Sequence, residues 1–288
     1  MADGTLNEQY GIFHLSKWFL DFTGDHGEAM IFYAAKLRWY GITIGYTSWL
    51  KYDPDSGVKL KSRFSQVKMP VLNDGIITWK DPGFRISGTW KSEASMIQAR
   101  LFESPEGYLD WKCYQPASKV DLLINNERIA GEGYAEQLIL TAPPWKIPMD
   151  ELRWGRFVSE NNKIVWIELR RTEKKQWLWL NGEKIGNCCI EDGKIEILDT
   201  NISLNLDRGV LLESEKKIQS VVGKIIRYIP NFHKSMPLGF LMADECKWLS
   251  RAELYADGNL LSKGMAIHEL VNFNSGGSEN DKLKTISR

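Results

Sequence analysis

The sequence predicts an all-β protein built as two tandem antiparallel barrels, and three observations carry that prediction. Short segments rich in β-branched and aromatic residues recur almost throughout. Turn-forming residues punctuate them at short intervals, with no long helical period between. The outline of the first half then returns in the second, which points to a duplicated barrel.

Taken in order, the opening MADGTLNEQYGIFH has no basic segment followed by an apolar core, so no secretory leader is expected. Residues 29–39 (AMIFYAAKLRW) and 43–52 (TIGYTSWLKY) read as strands, as do 164–170 (IVWIELR) and 176–180 (QWLWL). Turns are expected at 25–27 (DHG), 53–57 (DPDSG), 73–75 (NDG), 81–83 (DPG), 181–182 (NG), 192–193 (DG) and 257–258 (DG). Asn-Gly and Asp-Gly supply the positive φ angles that tight hairpins require. Helix is minor; residues 213–217 (ESEKK) read as one helical turn or as a charged loop.

The repeat is anchored at both ends of each unit. Trp18 opens a strand, a Gly-containing turn and an apolar strand, and Trp154 opens the same outline. The closing strands begin Gly-x-Ala at Gly133 and Gly264, at an offset of 131 residues against 136 for the tryptophans. The expected domains are therefore a barrel over 10–142, a Pro-rich linker over 143–150, a second barrel over 151–272 and a disordered tail over 273–288. Within the linker, Trp145 and Ile147 are expected to cover apolar surface between the domains.

Composition narrows the function classes. The 37 basic and 37 acidic residues leave a formal net charge of zero and are scattered, which argues against nucleic acid or an anionic membrane as partner. No apolar run approaches the roughly 18 residues of a membrane helix. Cys113, Cys188, Cys189 and Cys246 form neither a C-x-x-C pair nor a disulfide-like framework, and reduced thiols in a cytoplasmic protein are the simplest reading. No metal-ligand spacing, phosphate loop, dinucleotide fingerprint or Gly-x-Ser-x-Gly is present, so no cofactor or metal is expected.

Three stretches carry a family resemblance: LSKWFLDFTGDHGEAMIFYAAKL (15–37), GEGYAEQLILTAPPWKIPMDELRWGRF (131–157) and WLSRAELYADGNLLSKGMAIHELV (248–271). Together they resemble the carotenoid hydratase / AttH-like family, which includes hydroxyneurosporene synthase and, more distantly, fungal lipocalin-like cyclases that form decalins. The resemblance spans roughly residues 15–272. It implies two lipocalin-like barrels packed side by side, and a polyene, terpenoid or polyketide held in one barrel or between the two. The chain departs from relatives in reading Lys-Trp-Phe-Leu-Asp where many carry Glu-Trp-Trp-Tyr-Phe-Asp. It also reads Ala-Glu-Gln after Tyr134, where hydratase-like members often have an acid followed by His. An acid is kept at Glu136 without the adjacent base, which favours ring closure over hydration.

Strand alternation assigns faces to the candidate residues. Tyr134, Glu136, Leu138 and Leu140 share one side, so Glu136 is a carboxyl group on an apolar face. Burial there would raise its pKa and make it a general acid toward an alkene or carbonyl; the competing reading pairs it with Arg153 or Arg156. Arg156 shares its side with Trp154, either clamping a ligand oxygen or closing the barrel end, and Trp18 is read as the first-unit counterpart of Trp154. Asp21 sides with Phe19 and Thr23. Pointing inward it is a second acid; pointing outward it is a solvated charge. His268 sides with Ala266 and Leu270 as base, donor or structural group. Trp166 belongs to the aromatics from which a ligand-lining minority is drawn.

The resulting expectation is a cofactor-independent cyclase acting on a hydrophobic natural-product intermediate. Glu136, Tyr134 and Arg156 are its catalytic candidates, and Trp154, Trp18, Asp21, Trp166 and His268 its substrate-binding ones. An alkene hydratase and a non-catalytic binder of hydrophobic ligands are the alternatives.

Overall fold

The structure, a computed structural model, describes residues 12–207, 209–214 and 243–273. The predicted tail from 274 onward, residues 215–217 of the charged stretch and His233 lie outside them; Glu213 of that stretch ends a strand. The chain divides into two compact units, Met1–Ile147 and Pro148–Arg288.

The first unit contains β1 (Phe13–Thr23), β2 (Ala29–Trp39), β3 (Ile42–Asp53), β4 (Gly57–Phe64), β5 (Val71–Asn73), β6 (Ile76–Asp81), β7 (Ile86–Ser92), β8 (Ile97–Ser104), β9 (Gly107–Ile124) and β10 (Glu127–Leu140). They form one antiparallel sheet in the order β4-β3-β2-β1-β10-β9-β7-β6-β5, with β8 also paired to β9. The sheet curls on itself. Trp49 of β3 and Trp79 of β6 lie far apart in strand order yet share one core, with Trp18, Leu20, Phe22, Phe32 and Trp90. An Arg63–Asp81 ion pair at 2.7 Å ties β4 to β6 across the seam.

The second unit contains β11 (Glu151–Val158), β12 (Lys163–Arg170), β13 (Lys174–Leu180), β14 (Glu183–Ile185), β15 (Cys188–Ile190), β16 (Lys194–Ile197), β17 (Ile202–Leu206), β18 (Val210–Glu213), β19 (Asp244–Ala256) and β20 (Asn259–Asn272). Its order is β14-β13-β12-β11-β20-β19-β17-β16-β15, with β18 paired to β19. Each strand stands where the strand ten places earlier stands in the first unit, so the duplication is complete at the level of topology. Phe157, Ile164, Trp166, Leu178 and Leu254 build this unit's own core.

The hairpins form where turn chemistry allows them. Asn181-Gly182 and Asp257-Gly258 take positive φ at both positions (53° and 88°, 49° and 78°), which matches the strand twist. Asn125-Asn126 does the same (51° and 73°) without glycine, a turn the sequence reading missed. Pro116 falls inside β9, where a missing N–H would break a ladder. It sits between the stretch of β9 that pairs with β8 (to Cys113) and the stretch that pairs with β7 (from Ser118). The proline marks the change of partner.

Register corrects the repeat in two places. Phe22 pairs with Gly133 and Phe157 with Ala266, so those two phenylalanines are equivalent, and both belong to core clusters. Trp18 then lies on the core-facing side of β1, while Trp154 lies on the opposite side of β11 and corresponds to Phe19. A Cβ on Gly131 would meet Thr23 O and the Phe22 ring; one on Gly264 would meet Val158 O and the Phe157 ring. Gly264 is thus the counterpart of Gly131, not of Gly133. Trp145 lies in a 3-10 turn (Pro144–Lys146) and packs on Phe13 and Trp39 of its own unit, at 6.2 and 5.3 Å between ring centroids.

Candidate functional site

The closing strands β9 and β10 place a polar cluster on the face of the first sheet that turns away from its core. Ala135 points into the core cluster, so alternation sends Tyr134 and Glu136 to the other face. Register brings Cys113 opposite Glu136 and Trp111 opposite Leu138. The register shifts on either side of Ala135 come from extra residues on β9, which bulges there against β10.

The geometry centres on one carboxylate oxygen. Glu136 Oε2 accepts from Trp111 Nε1 at 2.5 Å and from Tyr134 OH at 2.6 Å. Glu136 is 9% exposed, while Tyr134, Cys113 and Asp21 are fully buried. Burial, reinforced by Cys113 and Glu136, holds the Tyr134 pKa well above that of an ordinary phenol, and burial likewise raises the Cys113 thiol. Both groups therefore stay neutral hydrogen-bonding groups. The two donors on Oε2 make the Glu136 carboxyl group a held acceptor. The Phe19 ring closes one side, 6.0 Å from Tyr134 and 5.4 Å from Tyr33.

Asp21 shows a third possibility beyond the two expected. Trp18, Leu20 and Phe22 face the core, so Asp21 points away from the barrel interior, yet it is completely buried rather than solvated. It pairs in register with Tyr134 and shares that face with Glu136. Its backbone oxygen accepts from Trp90 Nε1 at 2.8 Å.

The remaining candidates lie on other strands. Trp18 lies in the first core, stacked on Tyr114 at 5.1 Å, and Trp166 lies in the second core against Gly155. Arg156 and Trp154 share the face of β11 opposite its core, both buried, with Arg156 Nη1 donating to Met265 O at 3.3 Å. Arg153 makes ion pairs with Glu151 and Asp192 in its own unit. His268 stacks on Trp248 at 5.2 Å, and its Nε2 is 2.9 Å from Ser250 Oγ. Since the Ser250 hydroxyl donates to Asp207 O, the imidazole is the donor in that contact. Burial lowers its pKa to about 4.

Trp111 and Cys113 were missed by sequence reasoning, because their role depends on register between β9 and β10. Alternation along 109–113 (LDWKC) was the available signal. Lys247 was missed likewise. It is fully buried, with Glu245 at 2.7 Å, Glu269 at 3.0 Å and Glu213 at 3.5 Å. Among the described residues, no group of three or more His, Cys, Asp or Glu is arranged to hold a metal ion, and no helix is long and apolar enough to cross a membrane.

Strand order, duplication and curled sheets define a tandem lipocalin-like β-barrel protein. Solved structures share that fold. CghA crystallised with Sch210972 matches with a TM-score of 0.52 and 11% identity, over 92% of this chain and 89% of that one. CghA alone matches at the same TM-score and identity, over 92% and 90%. A candidate AttH from Nitrosomonas europaea matches with a TM-score of 0.52 and 8% identity, over 90% and 91%. At these identities the likeness is one of fold, and it is the fold that the sequence resemblance implied. No protein-family model matches the chain, and no curated protein matches it in sequence.

Proposed function

We propose that the protein is a cofactor-independent cyclase that closes a ring in a hydrophobic polyene, terpenoid or polyketide beside Glu136 and Tyr134. One observation supports this reading above the others: a carboxylate gripped by an indole N–H and a phenol O–H, on a buried aromatic face that is not the packed core. Such a group is costly to maintain for stability alone. Next to an unsaturated chain, a fixed carboxylate stabilises positive charge that develops during ring closure, and the phenol O–H holds that carboxylate in place. Holding the chain in a reactive conformer lowers the entropic part of the barrier. The closure itself forms carbon–carbon bonds at the expense of π bonds, with no atom gained or lost. CghA, whose fold this chain shares, crystallises with the small molecule Sch210972.

The test is incubation with a candidate polyene followed by mass analysis. Ring closure gives a product of unchanged mass. Hydration gives a gain of one water, and a pure binder returns the polyene untouched. Glu136→Gln and Tyr134→Phe are expected to lower kcat by about 100-fold or more each. Turnover unchanged in both variants removes the proposal.

A further inference from the structure

Inside the first barrel, three hydrogen-bond donors cluster without a partner among the described residues. Thr47 Oγ1 and Trp49 Nε1 stand at alternate positions of β3, on the side that joins the core cluster. Arg63 of β4 is directly opposite Thr47 in register, and its Nε is also buried and unpartnered. Thr47 is 0% exposed and Trp49 is 9% exposed. Only six side-chain atoms among the described residues are orphaned in this way, and three of them share this patch. Each specific case of an unmet buried donor calls for a physical reason.

The surroundings say what the missing group is. Trp49 Nε1 and Arg63 Nε only donate and the Thr47 hydroxyl is able to, so the group that meets all three is an acceptor. The Arg63 charge is offset by Asp81, whose two oxygens take Nη2 at 2.7 and 2.8 Å. Lys61, opposite Trp49, brings a further positive charge 5.5 Å from the indole ring. Apolar walls come from Phe84, 6.5 Å from Trp49 and 5.2 Å from the Arg63 guanidinium, and from Val67 and Met69. A carboxylate offers about four lone-pair sites, enough for three donors.

Residues 65–70 link β4 to β5 across the open seam of the barrel. The segment is held by Ser65 N to Gly45 O (3.1 Å), by Trp79 Nε1 to Lys68 O (3.0 Å) and by Val67 and Met69 packed on the core. Val67 lies against Gly45, the next inward position from Thr47. We propose that Thr47, Trp49 and Arg63 form a binding site for the carboxylate head of an apolar small molecule, admitted when segment 65–70 swings off the seam. The orphaned donors weaken the closed form, and the bound carboxylate satisfies them. The site lies on the sheet face opposite Glu136, and its occupancy is independent of the proposed ring closure.

Binding alone tests it. The full chain is titrated with cis-parinaric acid, a fluorescent polyene carboxylate, and decanoate and decanol are used as competitors. Saturable binding, displaced by decanoate but not by decanol, is expected. Thr47→Val and Trp49→Phe should each weaken binding by about 10- to 100-fold, the range for a hydrogen bond to a charged group. Thr47→Val should melt no lower than the parent, since it exchanges an unmet donor for a methyl group. No saturable binding of either carboxylate, or equal affinity in both variants, overturns the site. Equal displacement by decanol overturns the carboxylate assignment.

Discussion

Single side chains in this protein are legible by what holds them. Glu136 depends on Trp111, whose indole N–H donates to it and which phenylalanine would replace with a ring of similar kind but no donor. Trp111→Phe is therefore expected to cost about 1–3 kcal/mol, the penalty for withdrawing a donor from a buried acceptor, measured by urea unfolding. His268 makes a prediction about pH. Its pKa falls from 6.5 to about 4 because burial disfavours the imidazolium, although Asp192 pulls the other way. Between those two values the unfolded chain takes up a proton that the folded chain does not. The stability associated with a neutral His268 is therefore complete above pH 6.5 and drains as the pH falls toward 4, at about 1.4 kcal/mol per unit. His268→Gln keeps a donor for Ser250 and should lose that slope. Parallel slopes for the two proteins would show that the imidazole is not buried as described.

Strands and turns were the most readable level, and the reason is local. Residues 29–39 carry the β-branched and aromatic residues of β2, and Asp74-Gly75, Asn181-Gly182 and Asp257-Gly258 sit at hairpins because few other residues accept their φ angles; Asp192-Gly193 turns without positive φ. Facing was harder. Along β1, residues Trp18 to Thr23 are all buried, so hydrophobicity does not distinguish the core side from the other side. Trp18 and Trp154 therefore look equivalent in sequence, and Asp21 reads equally as inward or outward. The glycines of the closing strands settle the register and supply a paired test. Gly131→Ala and Gly264→Ala each push a methyl group into a backbone oxygen, at 2.4 and 2.1 Å, and each should destabilise by about 1–3 kcal/mol. Gly186 has nothing within 4 Å of the corresponding Cβ, and Gly186→Ala should stay within about 0.5 kcal/mol of the parent. Equal melting temperatures for all three would break the equivalence of Gly131 and Gly264.

Across the whole chain, duplication has kept the scaffold and changed the chemistry mounted on it. Phe19 pairs with Glu136 and Cys113 faces Glu136; Trp154 pairs with Glu269 and Lys247 faces Glu269. The same position thus holds a carboxylate in both units. Around it, Cys113 is replaced by Lys247, Tyr134 by Ile267 and Asp21 by Arg156. The first unit gives its carboxylate an indole and a phenol donor, the second a buried cation. A carboxylate serving a buried lysine is part of an ion-pair network, and its loss is felt as instability. A carboxylate held by an indole and a phenol is the one the proposed ring closure uses. Glu269→Gln is accordingly expected to cost about 1–3 kcal/mol of stability, moderated by the two other carboxylates on Lys247, with turnover per folded molecule retained. Glu136→Gln should do the reverse, abolishing turnover with a smaller change in unfolding free energy. Unfolding curves and product formation measured on both variants decide the matter. Turnover lost on substitution of Glu269 with the fold intact would move the chemistry to the second unit.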